Sequence, residues 1–65
     1  MNRLSMYFEN AKLAKACYIQ AQEEAAKGEL WKAVRDLSKG MEYLQAAMNN
    51  VASIAFNSKP KARKP

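Results

Sequence analysis

Three groups of side chains in this 65-residue sequence have types and spacing that could do chemistry: Cys17, the adjacent Glu23 and Glu24, and a terminal run of cations. A cysteine attacks as its thiolate and needs a base or a neighbouring cation to release the proton. The chain contains no histidine and nothing catalytic surrounds position 17, so Cys17 is expected to be a small buried or half-buried side chain. Paired glutamates hold metals in helical bundles, but there they act with an inward Glu-x-x-His pattern that this chain cannot supply, and a zinc site lacks histidine in the same way. Glu23 and Glu24 are therefore expected on a solvated helix face. With no nucleophile–base pair, phosphate loop or ligand cluster, the chain reads as a non-enzyme with no catalytic residue, metal, cofactor or small-molecule substrate.

The cations need dividing along the chain before they mean anything. The net charge is +5. Residues 1–58 hold seven Lys and Arg against six acids, while Lys59, Lys61, Arg63 and Lys64 occupy the last seven residues with Pro60 and Pro65. Basicity is thus a property of a 59–65 tail, where prolines oppose a helix and no large apolar side chain provides an anchor, so a flexible, disordered tail is expected. Four cations can neutralise about three or four phosphates with salt-sensitive, sequence-independent attraction, and the tail has no aromatic side chain to stack on a base. Nucleic-acid contact or docking on an acidic partner stands beside the plainer role of keeping the chain soluble.

Size constrains the rest. One domain is the limit, and at this length a single core supplies only a few kcal/mol of net stability, so oligomerisation or docking is an expected supplement. A lone cysteine makes no intramolecular disulfide and suits a reducing compartment. Neither a basic-then-apolar leader nor an apolar run approaching 20 residues is present. A cytoplasmic protein that does not enter a membrane is expected.

The elements that must carry these groups are helical. Leu30, Val34, Leu37, Met41, Leu44, Met48, Val51 and Ala55 recur at alternating steps of four and three, an apolar ladder that keeps one stripe of a helix against a partner for about four heptads. Beside it Ala33, Gly40, Ala47 and Ile54 repeat every seven residues. In the first half, Leu4, Tyr7, Ala11, Ala14, Tyr18, Ala21 and Ala25 form a second stripe of mostly small residues, flanked by Phe8 and Ile19 on one side and Met6, Leu13 and Cys17 on the other. Asn2 or Ser5 can cap the first helix, and Gly28 is the break between the two.

The expected fold is all-α: an antiparallel two-helix hairpin over 1–58, with helices about 3–27 and 29–56 turning at Gly28. The second helix of roughly 27 residues spans ~40 Å. Gly40 lies inside it and is expected to be a packing position where the alanine stripe of the first helix approaches closely, at a propensity cost of about 1 kcal/mol against Ala, rather than a hinge. The ladder with its small column is expected to form one wall of the hairpin. The excess apolar surface then requires completion, by dimerisation into a four-helix bundle or by docking on another protein. The expected interface residues are Leu4, Phe8, Leu13, Trp31, Leu37, Met41, Leu44, Met48, Val51 and Ile54. Trp31 fits either an exposed anchor or packing at the hairpin end, and the methionines fit core filling or a docking groove.

At Gly28-Glu29-Leu30-Trp31-Lys32-Ala33, followed by Leu37 and Gly40-Met41, the chain resembles the turn and second helix of a tetratricopeptide repeat. Residues 1–27 lack that repeat's first-helix aromatics, and there is no second copy. The same stretch, with Glu23 and Glu24 before it, resembles the centre of the small Anr-type bacterial regulators, over about a third of the chain and without their terminal Trp, Arg, Phe and Cys signature. In architecture alone a hairpin of this length is similar to Rop-type dimeric four-helix RNA-binding proteins. The resemblance implies a non-enzymatic regulator, bacterial or phage-encoded, that modulates a larger protein through helical contacts. A dimeric four-helix bundle that contacts nucleic acid through its basic tails is the alternative.

Overall fold

Gly28 reverses the chain. Its φ of +82° lies in the left-handed region that glycine enters without a Cβ penalty. Its N–H donates to the Ala25 carbonyl at 3.0 Å, and the Glu29 N–H donates to the Glu24 carbonyl at 2.9 Å. This pair of bonds is a Schellman cap, which satisfies carbonyls that the end of a helix would otherwise leave unpaired. The computed structural model describes residues 2–58, which form α1 (Arg3–Ala26) and α2 (Leu30–Ser58) on either side of this turn, packed as an antiparallel hairpin. The tail and its four cations lie outside the described residues.

The helix ends follow from local chemistry. Asn2, with extended backbone, caps α1: its side-chain oxygen accepts from the Ser5 N–H at 2.8 Å, which places Ser5 inside the first turn rather than at the cap. The Glu29 carbonyl accepts from the Ala33 N–H at 3.1 Å as α2 begins. The Glu29 carboxylate meets the Lys32 ammonium at 3.8 Å, and a negative side chain here suits the positive end of the helix dipole. The second helix ends two residues beyond the expected boundary, since no helix breaker precedes Ser58.

The two helices meet along a seam of small residues. Ala14 and Ala21 of α1 and Ala33, Gly40 and Ala47 of α2 are buried, Ala47 completely. Half-buried Tyr7, Asn10, Cys17 and Tyr18 of α1 and Asp36, Tyr43, Asn50 and Ile54 of α2 fill the intervening positions. Gly40 shows why the column is small: a Cβ built there would stand 2.8 Å from Cε1 and 3.1 Å from Cδ1 of Tyr18. The Tyr18 ring lies on the bare backbone of Gly40, so this glycine is a seat for a packed ring, and α2 continues unbroken through it.

The ladder does not line this seam, contrary to the expectation that it forms a wall of the hairpin. α1 lies on the Ala33–Gly40–Ala47 column and the half-buried positions between its members, and the ladder, one residue further round at each step, is turned outward by about 100°. Close approach decides between the two stripes. Leucine and methionine at the seam would hold α1 away and deny Tyr18 its contact with Gly40. The apolar residues that are buried among the described positions are all alanines, and no large side chain is fully buried. Each buried methyl contributes about 0.8 kcal/mol, against about 1.5–3 kcal/mol for a whole Leu, Val, Phe or Met side chain. Most of the hydrophobic capacity of this chain is thus unspent within the hairpin.

Candidate functional site

The exposed ladder is the principal candidate site. Its large side chains range from 39% exposed at Val51 to 63% at Leu30 and Met41. It contains no charged residue from Leu30 to Ala55. Helix geometry decides what shares its side of the molecule. In an antiparallel pair, residues that follow the seam positions point to the same side on both helices, so the α2 ladder is joined on α1 by Leu4, Phe8 and Ala11 near the chain ends and by Lys15 and Gln22 towards the turn. Leu4 and Phe8 are exposed, and the Phe8 ring leans on half-buried Tyr7 at a centroid distance of 5.1 Å. The apolar face is accordingly broad at the open end of the hairpin and one helix wide at the turn.

Other expected interface residues fall elsewhere. Ile54 belongs to the seam column and is half-buried, so it is not part of the free face with Met48. Leu13 precedes a seam position and is exposed on the opposite side with Met6. That side also carries Lys32, Arg35, Lys39 and Glu42 of α2. Trp31 is 84% exposed on the outer side of α2 beside the turn, so it does not pack against α1. A cleft at the open end is lined by Asn2, Arg3, Leu4, Met6, Asn50, Ile54 and Asn57.

The chemistry-bearing residues sort differently from their types. Cys17 is half-buried at the seam. Glu23 is exposed, but Glu24 is only 8% exposed, which corrects its placement on a solvated face. It occupies the last seam position of α1, where its Oε2 accepts from Gln20 Nε2 at 3.2 Å while its Oε1 has no protein partner. Among the described residues no cluster of three His, Cys, Asp or Glu side chains is placed to hold a metal ion. No described helix is long and apolar enough to cross a membrane.

One polar pair escaped the sequence reading. Asn10 Nδ2 donates to Asn50 Oδ1 at 2.9 Å across the seam. Asparagine at a seam position fixes the register of paired helices, because a shift would strand a half-buried amide. The signal is present in the spacing, since Asn10 stands three residues after Tyr7 and four before Ala14, but an amide is not among the apolar residues from which the α1 stripe is read.

Comparisons with protein-family models, with curated proteins and with solved structures find no match to this chain.

Proposed function

We propose that this chain is a non-enzymatic interaction protein that works by burying its ladder face against another protein surface. The single observation that carries the reading is the exposure of the ladder along α2, in a hairpin whose buried apolar residues are alanines. Contiguous apolar surface of this kind marks protein contact sites. The face offers apolar contact and shape, and no group that would take a substrate through transition-state charge. The role that fits is a small regulator of bacterial or phage type that modulates a larger protein, in keeping with the central resemblance to Anr-type regulators and to the tetratricopeptide helix pair. Homodimerisation through the same face would supply the second layer that helical domains require.

Affinity capture with Leu44→Asp, Met48→Asp and Lys39→Ala variants tests this reading. The two aspartates place a charge on the ladder, and Lys39 is exposed outside it. Proteins retained by the wild type and by Lys39→Ala should be lost by both aspartate variants, with helicity preserved by circular dichroism. An unchanged set of captured proteins would remove the ladder from the function.

A second reading rests on charge placement. Four of the eleven Lys and Arg lie in the last seven residues, so a dimeric bundle whose tails contact nucleic acid also fits. Deleting residues 59–65 should then abolish nucleic-acid retention without altering helicity, and binding that survives the deletion would sink this reading.

A further inference from the structure

We propose that the ladder face is covered by a second copy of this chain, with the two α2 helices antiparallel and ladder against ladder about a two-fold axis near Met41 and Leu44. The inference rests on the ladder being a protein-docking face and names its occupant. Three observations favour a second copy.

The first is a match of side-chain sizes within the ladder itself. Folding it onto its own reverse sets Leu37 opposite Met48 and Met41 opposite Leu44, pairs of nearly equal volume. It also sets Val34 opposite Val51, and Leu30 opposite the small Ala55 at the two outer ends. An isologous interface must be complementary to itself under a two-fold rotation, and this order of residues meets that demand. The alternating four-three spacing is that of helices packing knobs into holes, which is the contact a second α2 would make.

Charge and area supply the second and third. The ladder carries no charged side chain, so the two α2 helices meet without like-charge repulsion along it. At the observed exposures, the ladder with Leu4 and Phe8 offers at most roughly 900 Å² per copy, a ceiling for two copies that is not below the range of about 1,600 ± 400 Å² buried in stable interfaces. A hairpin with alanines for its core needs that area covered whenever it is folded, and a copy of the same chain is present wherever the chain is made. Trp31, on the outer side of α2, stays accessible in such a dimer.

Sedimentation equilibrium of the full chain, joined with disulfide trapping in a Cys17→Ala background, tests the proposal. The expected mass is twice 7.3 kDa. Leu37→Cys mixed with Met48→Cys should cross-link under mild oxidation, whereas each variant alone should not. Identical positions stand about 16 Å apart along antiparallel helices, beyond the ~7 Å Cα separation a disulfide spans. Cross-linking of each variant with itself would overturn the antiparallel arrangement, and a helical wild-type chain of 7.3 kDa would overturn self-pairing. If that monomer still loses captured protein through Leu44→Asp, the docking face stands and only its occupant is wrong. A dimer that Leu44→Asp leaves intact would remove the ladder from the dimer contact.

Discussion

Gly40 and Tyr18 pack closely against each other, and two opposing terms meet there. Alanine at position 40 would gain about 1 kcal/mol of helix propensity, but its Cβ would stand 2.8 Å from the Tyr18 ring. Overpacking of a close seam costs about 1–3 kcal/mol, so Gly40→Ala should destabilise the wild-type chain in urea unfolding. In a Tyr18→Ala background the same substitution should turn neutral or stabilising, and equal effects in both backgrounds would refute the contact. Gly28 is constrained differently: Gly28→Ala meets open space but must hold φ near +82°, so a loss of about 1 kcal/mol is expected from backbone strain alone. The spacing by sevens made Gly40 readable as a packing position. Glu24 and the Asn10–Asn50 pair were not readable by type, because each is a polar residue that the seam position, not its hydropathy, brings inside.

Within α2, two parallel stripes share the 3.5-residue spacing, so periodicity alone shows that both run the length of the helix and leaves open which one meets α1. The choice is a rotation of about 100°. It is decided by how closely two backbones approach when the facing residues are Ala and Gly, a property of the pair rather than of either helix. That is why the all-α hairpin, the Gly28 turn and both helices were legible in the sequence, while the ladder was assigned to the hairpin wall. Leu44→Asp leaves the alanine seam untouched, so its effect should fall on assembly: the apparent mass should drop while the helical signal of any folded chain keeps its shape. Lys39→Ala, exposed and away from the ladder, should change stability by no more than about 0.5 kcal/mol.

As a whole molecule, the described hairpin is a single layer of two helices with most of its large apolar side chains outside. In the proposed dimer, the hairpin gains part of its stability from the copy that covers its ladder face. Its melting temperature should therefore rise by a few degrees for each tenfold increase in chain concentration, whereas a self-sufficient monomer would melt at one temperature throughout. The methionines allow the covered face to be read directly. Met41 and Met48 lie on the ladder and Met6 on the opposite side, and both ladder methionines are more exposed in the isolated hairpin than Met6. Hydroxyl-radical footprinting of the purified, folded chain, with Met6 as internal reference, measures whether that face is open. If the ladder is an interface between copies, Met41 and Met48 should oxidise at least tenfold more slowly than Met6; oxidation of both faster than Met6, in the order of their exposures in the single hairpin, would contradict it.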